Sequence, residues 1–133
     1  MKIVYSDPKT GRTAQAEISS EISVALNNKK IGDTVDGTII GLSGYTLKIT
    51  GGSDTSGFPM QANIEGAAKK SVLKKISNSG SMKGMHRRRT LVGNSVNPNT
   101  AQLNLVIVEY GDKGIDEIMP KKEKEKKPDE KKE

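Results

Sequence analysis

From Gly66 to Val108 the chain contains no Asp or Glu, while Lys69, Lys70, Lys74, Lys75, Lys83, Arg87, Arg88 and Arg89 give the segment a charge of +8. The flanking segments carry −1 over residues 1–65, −3 over 109–119 and +2 over 120–133, which closes on the formal +6 of the whole. The positive charge is therefore local and has to be carried on the surface. Cations without counter-charge would repel one another on a free surface. A patch of one sign, interleaved with Gly, Ser and Asn, suits a polyanion partner. Nucleic acid is the expected partner, against the alternative of a solvated loop with none.

Only 32% of the 133 residues are hydrophobic and 3% aromatic, with no Trp and a single Phe. That is a thin core of Val, Ile and Leu, suited to a small barrel or sheet. The length fits one domain of ordinary size. The absence of Cys excludes disulfides and thiolate metal sites. No apolar h-region follows Met1-Lys2-Ile3-Val4-Tyr5-Ser6-Asp7, and nothing approaches the roughly 18 apolar residues of a membrane span. A soluble, intracellular protein is expected.

Short β-rich runs alternate with turn residues. Ile3-Val4-Tyr5 and residues 13–18 flank Asp7-Pro8-Lys9-Thr10-Gly11 and read as a hairpin. Ser19-Ser20 offer an N-cap to a helix of at most two turns, with Ile22 and Leu26 on one face. Residues 38–42 and 45–50 read as a second hairpin turning at Ser43-Gly44. Residues 51–60 read as a loop, 61–65 as a short strand, and 77–81 and 83–84 as flexible. Residues 90–96 and 102–110 read as a third pair around Asn97-Pro98-Asn99-Thr100. Leu103-Asn104-Leu105-Val106-Ile107-Val108 is the most apolar run and the expected central strand. The pattern predicts an all-β fold: a small β-barrel of about six strands with one or two short helices. Residues 1–119 are the expected RNA-binding domain. Residues 120–133 consist of Lys, Glu, Asp and Pro and predict a disordered charged tail.

His86-Arg87-Arg88-Arg89 is the sharpest local charge, leading directly into a predicted strand. Arg guanidinium groups hold phosphate oxygens through paired bonds and stack on bases. The aromatic platform of single-strand binders is missing, so backbone contact with structured RNA is favoured. The loop Gly51-Gly52-Ser53-Asp54-Thr55-Ser56-Gly57-Phe58-Pro59-Met60 has neither the G-x-G-x-x-G nor the G-x-x-x-x-G-K pattern of a phosphate cradle. A shaped loop with glycines at positive φ and Asp54 bonded to backbone amides is preferred, and such a loop can still dock on RNA. His86, the only histidine, has no partners at metal-ligand or catalytic spacing, and no paired-carboxylate or HExxH signature is present.

The run from Thr50 to Met60 resembles the signature of the archaeal and eukaryotic e-type small-subunit ribosomal protein six family. That signature is a Gly-Gly pair (Gly51, Gly52), an Asp two residues on (Asp54), then Gly57-Phe58-Pro59-Met60. His86-Arg87-Arg88-Arg89 followed by Leu103-Asn104-Leu105-Val106-Ile107-Val108 is similar to the family's basic run and later strand, as is the Ile115 region after Gly111-Asp112-Lys113-Gly114. The resemblance spans about residues 1–118. It implies a β-barrel-like domain of the small ribosomal subunit in the cytoplasm, contacting ribosomal RNA, without enzymatic activity. Eukaryotic members carry a long basic C-terminal helix with phosphorylated serines. The tail here has no Ser or Thr, so the resemblance is to the short archaeal form and phosphorylation is not carried over.

The expected RNA-binding residues are Lys69, Lys70, Lys74, Lys75, Lys83, His86, Arg87, Arg88 and Arg89, with the motif loop beside them. The expected partners are small-subunit ribosomal RNA and neighbouring ribosomal proteins. No cofactor, metal, membrane or small-molecule substrate is expected, and the chain is expected to be monomeric off the ribosome. The rival reading is a free-standing RNA-binding barrel, such as an RNA chaperone or a translation-factor-like module.

Overall fold

Strand β1 (Lys2–Ser6) pairs antiparallel with β2 (Thr13–Glu17), from Lys2 opposite Glu17 to Ser6 opposite Thr13. A computed structural model describes residues 1–111 of the chain. The expected tail and the Ile115 match lie outside the described residues. Ile3 and Tyr5 of β1 point into the core while their neighbours are more exposed, the two-residue period of a half-buried strand. Asp7 organises the connecting turn. Its carboxylate accepts the amides of Lys9 (2.9 Å) and Thr10 (3.2 Å) and the Thr10 hydroxyl (2.5 Å). The Tyr110 hydroxyl donates to the same carboxylate at 2.6 Å, which fastens a residue 103 positions further along the chain to this turn.

Helix α1 (Ser20–Leu26) starts after Ser19, as the sequence predicts, although the Ser19 side chain makes no capping bond. Leu26 is fully buried and anchors the helix. Strand β3 (Thr34–Asp36) follows, then a 3-10 turn (Gly37–Ile40), then the long β4 (Thr46–Asp54). The expected hairpin between residues 38–42 and 45–50 does not form. Instead β4 pairs with β3, Val35 facing Leu47. The backbone doubles back after β3: the Gly37 amide donates to the Tyr45 carbonyl (2.7 Å) and the Leu42 amide to the Gly37 carbonyl (2.8 Å). A Cβ on Gly37 would lie 2.4 Å from the Leu42 oxygen, so only glycine admits this approach. Leu42 and Tyr45 are thereby buried. That packing overrides the strand preference of Thr38-Ile39-Ile40.

Strands β5 (Lys69–Lys75) and β6 (His86–Val92) form a separate two-stranded sheet, and β7 (Thr100–Glu109) enters the main one. The main sheet has the order β2-β1-β7-β4-β3. β7 is central as expected, parallel to β1 and antiparallel to β4, with Leu103, Leu105 and Ile107 buried. The expected pairing of residues 90–96 with 102–110 is not found. Both edges of β7 are taken by β1 and β4, so β6 finds its partner in β5. Residues 61–65 turn instead of extending. The fold is mostly β, but the ladders of the described residues do not close into a ring: β2 and β3 remain as edges.

Residues 59–61 join the two sheets. The Met60 amide donates to the Gly52 carbonyl (2.9 Å), the Val92 amide to the Pro59 carbonyl (3.0 Å) and the Gln61 amide to the Val92 carbonyl (2.9 Å). Gly51 and Gly52 sit inside β4, not in a loop, with a bulge between Ile49 and Gly51. A Cβ on Gly52 would meet the Gln102 oxygen at 2.4 Å and the Met60 sulfur at 3.0 Å, whereas one on Gly51 would meet nothing within 4 Å. Gly52→Ala is therefore expected to cost about 1–3 kcal/mol, as overpacking does. Gly51→Ala should stay within about 0.5 kcal/mol of the parent. Chemical denaturation of both variants checks this, and equal losses would contradict it.

Candidate nucleic-acid interface

The β5–β6 register sets Val72 opposite Arg89, Leu73 opposite Arg88, Lys74 opposite Arg87 and Lys75 opposite His86. Residues directly opposite in an antiparallel pair share a face, and successive residues alternate. One face carries Lys70, Val72, Lys74, Arg87, Arg89 and Leu91. The other carries Lys69, Ser71, Leu73, Lys75, His86 and Arg88. Leu91 and Val92 are buried and root the hairpin, while His86, Arg87, Arg88 and Arg89 are exposed. The cations expected on a loop thus stand on a two-stranded ribbon. Lys83 lies at its tip, where Ile76 donates to the Met85 carbonyl (2.9 Å) and Lys83 to the Gly80 carbonyl (3.1 Å). The segments expected to be flexible, 77–81 and 83–84, are turns with bonds of this kind.

Like charges directly opposite each other destabilise a strand pair, yet Lys74 faces Arg87. Among the described residues no acid pairs with Lys70, Lys74, Lys75, Lys83, Arg87, Arg88 or Arg89. Lys69 differs. Its ammonium meets Oδ2 of Asp54 at 2.7 Å, donates to the Ser56 hydroxyl at 3.0 Å and lies 5.3 Å over the Phe58 ring. Asp54 has a side chain only 3% exposed. Its Oδ1 accepts the Thr55 amide (2.7 Å) and hydroxyl (3.2 Å). Oδ2 has no neutral donor, and the Lys69 ammonium reaches it off the ideal hydrogen-bond direction. Part of the Lys69 charge is therefore spent inside the protein. Sequence reasoning grouped Lys69 with the RNA contacts and missed this pair. The available signal was that Asp54 is the lone acid between Asp36 and Glu65.

The motif loop is shaped by the same carboxylate. The Asp54 amide donates to the Phe58 carbonyl (3.0 Å) and the Gly57 amide to the Asp54 carbonyl (2.8 Å). Gly57 has φ +81°, the positive value expected of the motif glycines, whereas Gly51 and Gly52 are held by strand geometry and packing. Met60 is buried against Gly52, and Phe58 packs on the edge of the core. Phe58 and Pro59 are left beside Lys74, Arg89, Thr90 and Leu91, around a cavity of about 280 Å³. Motif loop and basic ribbon therefore form one continuous surface. No group of three or more His, Cys, Asp or Glu is placed to hold a metal among the described residues. Chemically, the surface offers guanidinium and ammonium donors to phosphate oxygens.

The family model described as Ribosomal protein S6e matches residues 1–120. The chain is 47% identical over 118 residues to the small ribosomal subunit protein eS6 of Nanoarchaeum equitans, covering 89% of this chain and 88% of that protein. It is 46% identical over 120 residues to the protein of the same name from Methanocaldococcus jannaschii, covering 89% of each. It is 40% identical over 125 residues to that of Methanocella arvoryzae, covering 92% of this chain and 88% of the relative.

Two carboxylates make the fold sensitive to acid. Asp54 is held below the usual carboxylate value, chiefly by the Lys69 bond, which with the Thr55 bonds outweighs the opposing effect of burial. Burial also pushes Asp7 up, but bonds from Thr10, Tyr110 and the Lys9 and Thr10 amides outweigh it and bring it down to about 2. A carboxylate with a depressed folded pKa stabilises the fold above its unfolded pKa and loses that contribution as pH falls through the folded value. Melting temperature should be flat just above about pH 5 and fall between about pH 4 and 2. Asp7→Asn and Asp54→Asn should each lower stability at pH 7 and flatten the acid limb. A parent profile unchanged down to pH 2 would contradict the assignment.

Proposed function

The chain belongs to the Ribosomal protein S6e family, and from that premise we propose that it is a structural constituent of the small ribosomal subunit whose basic hairpin binds ribosomal RNA. Its role is structural, not enzymatic, and its place is the cytoplasmic ribosome. Residues 1–119 act as the RNA-binding domain, and neighbouring ribosomal proteins complete its surroundings. The observation that carries the RNA-binding reading is the Lys74–Arg87 juxtaposition on a ribbon whose six other cations have no described acid paired with them apart from Lys69 with Asp54. Such an arrangement is unfavourable in isolation and favourable against a phosphate backbone, which supplies the missing counter-charge.

Each part of the ribbon then has a task. Lys70, Lys74, Lys75, Lys83, Arg87, Arg88 and Arg89 neutralise phosphates. His86 stands in the same row opposite Lys75 and contacts the RNA from there. Lys69 chiefly holds the motif loop against the ribbon. Gly51, Gly52, Asp54, Gly57, Phe58, Pro59 and Met60 set the shape of the adjoining surface.

If about four to six phosphates are neutralised, log K for ribosomal RNA should fall against log salt with a slope of roughly −3 to −5. A salt-independent affinity would remove the electrostatic reading. Substituting Arg87, Arg88 and Arg89 together with Ala should weaken RNA binding, since each bond to a charged group is worth about 1.5–3 kcal/mol. The melting temperature should hold or rise, because exposed cations add little stability and the repulsion at Lys74 is relieved. Unchanged affinity in the triple variant would move the RNA surface elsewhere. Co-sedimentation with small subunits at moderate salt separates a ribosomal constituent from a free-standing RNA-binding module.

A further inference from the structure

The cavity between the motif loop and the basic ribbon has a composition that a flat phosphate-binding surface does not need. It is lined by Phe58, Pro59, Lys74, Arg89, Thr90 and Leu91. One wall is apolar and includes the chain's only Phe. The other carries two cations with no described acid paired to either. Lys74 and Arg89 come from the same face of the ribbon, two positions apart diagonally across the strands. Their Cα atoms are then about 7–8 Å apart, so both can reach one anion. At about 280 Å³ the cavity falls just under the roughly 300–1,000 Å³ of drug-sized ligand sites. That size suits a single base, not a larger cofactor.

An apolar and aromatic wall next to paired cations, without an acid, is complementary to an aromatic ring linked to a phosphate. Structured RNA presents such a group where an unpaired base is splayed out of a helix. We propose that this cavity takes one extruded nucleotide of the bound RNA, its base against Phe58, Pro59 and Leu91 and its phosphate between Lys74 and Arg89. The proposal rests on the reading that the ribbon binds RNA, and it adds that the ribbon recognises a helix interrupted by an unpaired base. One pocket with one aromatic residue fits a single nucleotide and not a stacked single strand. The positions are held from both sides: Asp54 and Lys69 fix the loop, and buried Leu91 and Val92 fix the ribbon.

The test compares two RNA hairpins of the same sequence, one fully paired and one with a single bulged 2-aminopurine, by fluorescence anisotropy at fixed salt. The parent protein should prefer the bulged RNA by about tenfold or more, the scale of one base stacked on an aromatic side chain. The 2-aminopurine emission should change on binding. The Lys74→Ala, Arg89→Ala double variant should reduce the preference to less than about twofold. Arg88→Ala, on the other face of the ribbon, should weaken both RNAs by the same factor. Phe58→Leu should also lose the preference. Because Phe58 touches the core, the cation variants and the 2-aminopurine signal decide the matter if that variant unfolds. Equal affinity for the two hairpins in the parent would overturn this inference and leave the proposed function standing. Failure to bind either RNA would overturn both. Free AMP binding as tightly as the bulged RNA, and displacing it, would make the cavity a free-nucleotide site and overturn the RNA assignment.

Discussion

Asp54 closes β4 with its carboxylate almost wholly withdrawn from water, and the Lys69 ammonium meets it at 2.7 Å where β5 begins. A buried charge is tolerated only when paired and hydrogen-bonded, so the position of Lys69 is dictated by the end of the main sheet. Three consequences follow from that contact. The motif loop wraps the same carboxylate through Thr55. Phe58 lies under the Lys69 ammonium. The ribbon that starts at Lys69 is aimed from a fixed root. Backbone bonds from residues 59–61 to Gly52 and Val92 complete the joint between the two sheets.

Rigidity behind that joint comes from β7. It is the central strand of the main sheet, ten residues long and hydrogen-bonded along both edges, to β1 and β4. Gly52 admits β7 to the distance at which any side chain would collide. Asp7 and Tyr110 then lock the opposite end of the sheet, and the bond raises the Tyr110 hydroxyl to about 12. The bonded carboxylates of Asp7 and Asp54 thus sit at structural joints, while the densest run of cations without a described acid stands on the ribbon. The ribbon sets Lys74 opposite Arg87, a like-charge repulsion that a phosphate backbone would relieve.

How far the sequence could be read depended on which faces were buried. β1, β2 and β7 were legible because each packs against the core and shows apolar residues or turn chemistry in the expected period. β5 was not, because Lys69-Lys70-Ser71-Val72-Leu73-Lys74-Lys75 is mostly exposed and has no apolar alternation to read. Its partner was then assigned to β7, whose edges were already occupied. The Gly51-Gly52 pair read as a loop because glycine disfavours strands, whereas here it serves a bulge and a close crossing. Thr38-Ile39-Ile40 read as a strand for the converse reason. The basic patch and the motif loop were legible as residues. Their adjacency was not, since it depends on an ion pair between positions 54 and 69 that no local pattern encodes.

Lysine reactivity tests the central claim most directly, because it reads the interface residues one at a time. Small subunits assembled with this protein, and the free protein, would be treated with an amine-acylating reagent and compared by mass spectrometry. Lys70, Lys74, Lys75 and Lys83 should be strongly protected on the subunit and reactive in the free protein, with Lys69 slow in both because Asp54 holds it. Equal reactivity of the four ribbon lysines in the two states would contradict the account and place the RNA-bound surface elsewhere on the molecule.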